Sequence, residues 1–166
     1  MTLIRPLLDS DLPILRAWMQ RTLEAPAWSE CDLANLVALP DTDQRFIRRA
    51  WMAVEEPAVP AGFLVATALC IPGAPAECEI EFVMTAPAAR RKGVARALVN
   101  NVFVWARELA AEEIRLEVRA SNVGAMRFYE HCGFVTAGRR PGYYTAPAED
   151  AVLMRCLLKQ PRIMTP

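Results

Sequence analysis

Apolar and polar positions alternate along this chain with two periods, and the switch between them marks its elements. Residues 2–7 form a short candidate strand. Leu12, Leu15, Trp18, Met19 and Leu23 recur at helical spacing and predict a helix over about 9–22. Asp9 stands at its cap and Pro13 in its first turn, where proline is tolerated. Ala25-Pro26-Ala27-Trp28 breaks the pattern. Ser29-Glu30-Cys31-Asp32 then has capping-box spacing ahead of a second helix, which runs to about Leu39 and is stopped by Pro40. Residues 46–54 and 61–71 read as strands joined by a Pro-rich turn, and the second is nearly all apolar, as a central strand is. After the turn Pro72-Gly73-Ala74-Pro75, residues 77–85 form a strand that Ala86-Pro87 ends. Leu98, Val102, Trp105 and Leu109, with Val99 and Ala106 beside them, predict a helix from Gly93 to about 111. Residues 113–119 are a strand, and 122–132 a short helix with Asn122 as N-cap and Gly133 just past its end. Residues 134–139 and 150–158 read as strands around a loop over 140–149. The tail after Pro161 is expected to fray.

The order β-α-α-β-β-β-α-β-α-β-β contains runs of strands without helices between them. That excludes a simple doubly wound sheet and predicts an α/β (α+β) fold: one central mixed β-sheet with helices on both faces. Residues 77–119 form the strand–loop–helix–strand unit of a parallel crossover. The 166 residues are expected to make one domain over 1–160, with 161–166 as a C-terminal tail. An apolar share of 54% and a charged share of 23% describe a globular chain. With 19 basic and 19 acidic residues the formal charge is zero, which argues against broad attraction to nucleic acid or a membrane surface. No apolar run reaches membrane-spanning length, and Met1-Thr2-Leu3-Ile4-Arg5 lacks a signal-peptide pattern. Five scattered cysteines without a CxxC pair predict reduced thiols, a cytoplasmic location and no zinc site. His131, the single histidine, cannot alone make a metal site or a catalytic triad, so no metal is expected.

Three stretches carry candidate chemistry. Arg90-Arg91-Lys92-Gly93 places three cations and a glycine at a helix start. Free N–H groups and the helix dipole there suit an anion such as a phosphate, and glycine permits close backbone approach. A solvated basic turn is the alternative. In Ile114-Arg115-Leu116-Glu117-Val118-Arg119 the apolar residues occupy one face and the charges the other. A charged face on an inner strand points to a cleft, and an exposed ladder of opposite charges is the competing reading. Tyr129, twelve residues after Glu117, lies on the following helix, which can fold back toward that strand's end. A carboxylate and a phenol flanking one site suit amine acylation: an ammonium must lose a proton before it attacks a thioester, and the departing thiolate gains from a proton donor. A half-buried structural tyrosine is the bland alternative.

Arg90-x-x-Gly93-x-Ala95 resembles the pyrophosphate-binding motif of the GCN5-related N-acetyltransferases (GNAT). Leu116-Glu117-Val118-Arg119-Ala120-Ser121-Asn122, followed by Phe128-Tyr129-Glu130-His131-Cys132-Gly133-Phe134, is similar to the ribosomal-protein-alanine N-acetyltransferase branch, the RimI type. Ala27-Trp28-Ser29-Glu30, Arg139-Arg140-Pro141-Gly142-Tyr143-Tyr144 and Glu149-Asp150-Ala151 resemble that branch too. The resemblance spans about residues 26–158 and implies the acyl-CoA N-acyltransferase fold and acetyl-CoA as cosubstrate.

On that resemblance Arg90, Arg91, Lys92, Gly93, Val94, Ala95 and Arg96 cradle the cofactor pyrophosphate. Phe82, Val83 and Met84 pair by backbone with the pantetheine arm, and Asn122 contacts the cofactor near it. Glu117 is implied as general base and Tyr129 as general acid. Tyr143, Tyr144, Trp28 and Ser29 are implied to hold the acceptor, a protein N-terminal α-amine. Three departures stand out. Ala86 replaces the Asp usual before the proline, and Glu79 stands where the histone-type branch keeps its own base, so Glu79 is an alternative base. Glu79 and Glu81 share a strand face unless a bulge intervenes. Residues 146–150, Ala-Pro-Ala-Glu-Asp, lack the usual Gly-His, which bears on substrate identity. Rival functions are acetylation of a small-molecule amine, a non-catalytic acyl-CoA sensor on the same fold, and a nucleic-acid module built on Arg90-Arg91-Lys92, the last disfavoured by zero net charge. Oligomeric state is open.

Overall fold

The computed structural model describes residues 2–22, 25–26, 28–37 and 45–158. Expectations for Leu23, Ala27, the helix end at Leu39 and Pro40, and the tail 161–166 lie outside these residues. Seven strands form one mixed sheet: β1 (Thr2–Pro6), β2 (Phe46–Glu55), β3 (Val59–Leu69), β4 (Glu77–Thr85), β5 (Glu113–Arg119), β6 (Val135–Thr145) and β7 (Ala148–Leu157). The helices are α1 (Leu12–Met19), α2 (Glu30–Asn35), α3 (Val94–Glu108) and α4 (Val123–His131). Strand order is β1-β2-β3-β4-β5-β7-β6, antiparallel throughout except for β4 beside β5.

Alternation on β3 divides the core. Leu64, Ala66 and Ala68 pack with Leu98, Val102 and Trp105 of α3 and with Tyr129 and Phe134. Phe63 and Val65 face Leu12 and Leu15 of α1 and Leu33 of α2. The expected two-faced arrangement is thus present, and a T-shaped Trp51–Trp105 pair 5.3 Å apart ties β2 to α3.

Local signals hold at several caps. Ser29 accepts from the Asp32 N–H at 3.2 Å while Asp32 accepts from the Ser29 N–H at 2.8 Å, a complete capping box. Asn122 caps α4 by accepting from the Ala125 N–H at 3.0 Å, and Gly133 follows α4 at φ +95°. Asp9 does not cap α1. Residues Asp9–Asp11 form a 3-10 turn, and Asp11 reaches back to the Leu8 N–H at 2.9 Å. Asp11 also receives both arms of Arg5, at 2.7 and 2.8 Å, and that hydrogen-bonded cation holds its carboxyl below the ordinary range.

The loop expected over 140–149 is a hairpin. β6 runs to Thr145, and Tyr144 pairs with Glu149, leaving only a tight reversal. Pro141-Gly142 forms a bulge rather than a turn, with Gly142 at φ +59° and its N–H donating to Asp150 at 2.9 Å.

Two irregularities open the sheet. β4 and β5 pair only at Cys78–Ile114, Glu79–Arg115 and Ile80–Leu116, beyond which the strands separate. Across from β3, Val65 pairs with Phe82 and Ala66 with Ile80, so Glu81 is the bulged extra residue. The bulge turns Phe82 and Met84 onto the face of α1 and α2, where simple alternation would have put Val83. Gly62 makes this opening sit tight on β3: an added Cβ would lie 2.5 Å from the Met84 carbonyl oxygen and 3.2 Å from Val94. Gly62→Ala is expected to cost about 1–3 kcal/mol by overpacking against backbone, read as a lower urea midpoint at unchanged m.

Candidate active site

The diverging ends of β4 and β5 bound an open cleft of about 1180 Å³. Its wall on the β4 side is Phe82–Thr85, whose inward backbone has no β5 partner. Unpaired strand edges take up extended ligands that carry amide groups. The floor at one end is the start of α3. Gly93 is its N-cap in the left-handed region (φ +83°, ψ 1°), a conformation glycine adopts without strain, and the first turn of α3 contains no acidic residue. The N–H groups of Val94, Ala95 and Arg96 open the helix, and Arg90, Arg91 and Arg96 line the same end. Such an arrangement suits phosphate groups. Lys92 does not join it: its ammonium lies 3.9 Å from Glu55 and outside the cleft lining.

Glu117 is the first β5 residue beyond the last β4 pair. Alternation places it opposite Leu116 and Val118, which are buried against α3, so it faces the cleft. Its carboxylate lies 3.1 Å from Arg140 Nη1. The hydrogen-bonding pull and the charge of the nearby Glu117 carboxylate hold the Tyr143 phenol above its ordinary range. Glu79 lines the cleft from β4, two register positions behind Glu117. Burial pushes its carboxyl up, and the charges of Glu117 and Glu81 push it the same way. Glu81 is held by Arg48 at 2.6 and 3.0 Å, and the same guanidinium sits 4.9 Å above Trp28. Trp28 reaches the cleft edge, where it meets Phe82 edge-on at 5.9 Å.

Tyr129 approaches from α4. Its side chain is 6% exposed, with its ring against Phe134 at 5.6 Å and Phe128 at 5.1 Å. Burial first, then the neighbouring Cys132 and Tyr144, drive its hydroxyl far above the usual phenol range, so it stays a neutral O–H donor at the cleft wall. The β6–β7 hairpin closes the other side. Tyr144 lies under the Arg119 guanidinium at 4.1 Å and edge-on to Tyr143 at 5.1 Å. Arg119 donates to the carbonyls of Ala146 at 3.1 Å and Pro147 at 3.2 Å and pairs with Glu149 at 3.3 Å, while Glu149 accepts from the Ser121 N–H. This latch fixes the hairpin over the end of β5.

Of the residues singled out from sequence, the cleft gathers Glu117, Tyr129, Glu79, Phe82, Val83, Met84, Arg90, Arg91, Gly93, Val94, Ala95, Arg96, Asn122, Trp28, Tyr143 and Tyr144. Lys92 and Ser29 are not among its lining, and the Ser29 hydroxyl is engaged by Asp32 at 2.7 Å. Sequence reasoning missed Arg140 and the latch of Arg119, Glu149 and Ser121. The Arg-Arg pair at 139–140 was visible as charge, but its meeting with Glu117 depends on a β6–β7 register with shifts at 136–138 and 140–144. Among the described residues no cluster of His, Cys, Asp or Glu is placed to hold a metal ion, and no helix is long and apolar enough to cross a membrane.

A mixed sheet split beside a parallel pair, with a phosphate-suited helix start at one end of the split, makes an α/β protein whose cleft suits an extended ligand carrying amides and phosphates. The profile of the Acetyltransferase (GNAT) family matches residues 12–134. The chain belongs to that family, whose acetyltransferases draw on acetyl-CoA. It is 39% identical over 70 residues to the [ribosomal protein bS18]-alanine N-acetyltransferase of Escherichia coli, a stretch of 41% of this chain and 47% of that one. The chain spans less than half the length of the first curated relatives it matches, 22% of one and 47% of another. The crystal structure of the ribosomal-protein-S18-alanine N-acetyltransferase from E. coli superposes with a TM-score of 0.75 at 26% identity, over 100% of this chain and 99% of that one. Arabidopsis thaliana NAA60 in complex with a bisubstrate analogue shares the fold, with a TM-score of 0.83 at 20% identity over 96% and 100% of the two chains.

Proposed function

We propose that this chain is an acetyl-CoA-dependent N-acetyltransferase whose acceptor is a protein N-terminal α-amine, of the ribosomal-protein-alanine type. The observation that carries the reading is Glu117 and Tyr129 lining one cleft with the start of α3 and the unpaired end of β4. In this reading the N–H groups of residues 94–96 with Arg90, Arg91 and Arg96 bind the pyrophosphate, and the Phe82–Met84 backbone aligns the pantetheine arm. Asn122 meets the arm with its amide nitrogen, the end of the side chain left free by its cap on α4. Glu117 accepts a proton from the acceptor ammonium, and the freed amine attacks the thioester carbonyl carbon. The C–N bond forms, the C–S bond breaks, Tyr129 gives its proton to the departing sulfur, and the proton that the acylated nitrogen sheds restores the Tyr129 hydroxyl, while Glu117 returns its own proton to solvent. Trp28, Tyr143 and Tyr144 form the aromatic rim through which the acceptor enters. The E. coli relative, named a [ribosomal protein bS18]-alanine N-acetyltransferase, supports the α-amine as acceptor. The cytoplasmic location expected from the thiols belongs to the same reading.

A thiol-release assay with acetyl-CoA tests it on two acceptor panels: peptides with free N-termini, including one that starts with Ala, and small amines such as spermidine and free amino acids. Peptide turnover that disappears on N-terminal blocking is expected. Turnover of small amines alone would keep the chemistry and discard the protein acceptor. Tight acetyl-CoA binding with no turnover on either panel would instead favour a non-catalytic acyl-CoA sensor.

A further inference from the structure

We infer that Arg140 is a specificity-determining residue that holds, on Glu117, the place an acceptor's ammonium must take. Productive binding is then the exchange of one cation for another. The inference rests on the reading of Glu117 as the base.

The cations around Glu117 are not equivalent. Arg115 is held by Glu113 and Glu77, Arg119 by Glu149 and two hairpin carbonyls, and Arg139 by Asp150. Arg140 makes its ion pair with Glu117 alone among the described residues, at 3.1 Å. The two ends of that pair differ in exposure: the Glu117 side chain is 17% exposed and the Arg140 side chain 52%. Arg140 can therefore leave toward solvent while Glu117 stays, and the ring of Tyr143, 4.7 Å from the guanidinium, gives it a surface to rest against. Glu79 beside them already lies under the charge of Arg140 and of Glu117. Losing Arg140 without replacement would leave the repulsion between the Glu117 and Glu79 carboxylates less offset.

The consequence is selective. An acceptor that arrives as an ammonium ion replaces the lost charge, and its nitrogen lands on the base. An acceptor blocked at that nitrogen offers no charge, so Glu117 stays closed by Arg140. The amide product is neutral for the same reason, and the return of Arg140 to Glu117 favours its release.

Steady-state kinetics with an Ala-start peptide at saturating acetyl-CoA test the exchange in the unaltered chain, Arg140→Ala, Arg140→Lys and Glu117→Gln. Arg140→Ala is expected to lower the peptide KM about two- to fivefold, the worth of a half-exposed ion pair, and to raise kcat/KM with it. In that variant guanidinium chloride at non-denaturing concentration should compete with the peptide and restore the higher KM, whereas sodium chloride at equal ionic strength should not. Arg140→Lys should return KM toward the unaltered value. A KM that rises or stays fixed in Arg140→Ala, or guanidinium acting no differently from sodium, overturns the exchange. Glu117→Gln with unimpaired turnover overturns the base assignment instead. An unaltered chain that does not acetylate the peptide overturns both.

Discussion

Glu117→Gln lowers kcat by about 10²–10⁴-fold while acetyl-CoA binds as before, because a general base is removed and no cofactor contact is touched. The substitution keeps the shape of the side chain and its place at the end of β5. Arg140 and Tyr143 still have an oxygen to meet, so the fold around the hairpin is preserved. Glu79→Gln is the necessary comparison. Glu79 sits in the paired part of β4, with Arg115 beside it on β5 and Thr67 on β3, whereas Glu117 is the first residue past the pairing. An amine approaching through the split meets Glu117 first, and Glu79→Gln is therefore expected to cost less than Glu117→Gln. The pH profile separates the two further. A carboxylate base must be ionised, so rate falls as pH drops through its pKa. Burial and two neighbouring carboxylates push Glu79 up, and an acid limb above the ordinary glutamate range that vanishes in Glu79→Gln would mark Glu79 as the base. Collapse of turnover in Glu79→Gln with near-normal Glu117→Gln would transfer the role outright.

Short-range features were legible in the sequence because one local interaction decides each of them. The Ser29–Asp32 box, the Asn122 cap and Gly133 all depend on partners within four residues, and all stand where the pattern puts them. The charged face of β5 follows from alternation alone, and it delivers Glu117 and Arg119 to the cleft. Arg115 shares that face yet pairs away from the cleft with Glu113 and Glu77, since only the splayed end of β5 faces open space. Apart from the Asp9 cap, displaced two residues to Asp11, what failed was long-range. Pro141-Gly142 carries the local signature of a turn, but an Asp150 carboxylate eight residues on accepts the Gly142 N–H and converts it into a bulge within a continuous hairpin. Register then decides that Arg140 lands on Glu117 while Arg139 pairs with Asp150. The Glu81 bulge likewise re-aims Phe82 and Met84. Lys92 reads as the third cation of a phosphate turn, yet Glu55 at the end of β2 draws it aside.

Gly93→Asp separates the cost of folding from the cost of binding at the start of α3, and acetyl-CoA affinity is expected to fall about 10²-fold. An added Cβ at Gly93 meets nothing within 4 Å, so no clash follows. The backbone is left-handed there, at φ +83°, which strains most side chains by roughly 1–2 kcal/mol but aspartate less than others. A carboxylate at the positive end of the helix dipole is favourable, and this offsets part of the strain. The urea midpoint should accordingly move little. The same carboxylate stands beside the N–H groups on which the pyrophosphate reading depends and adds like charge there. At a separation of about 4 Å and an effective dielectric near 20 that repulsion is on the order of 4 kcal/mol, reduced by the openness of the site to about 2–3. Ionic strength supplies the control: raising salt should recover part of the loss in Gly93→Asp, while Gly93→Asn, which tolerates the same backbone without charge, should bind acetyl-CoA far better than the aspartate variant at any salt. Equal affinity in Gly93→Asp and the unaltered chain would remove the phosphates from this helix start. The cleft between β4 and β5 would then have to be entered by a ligand lying in some other direction.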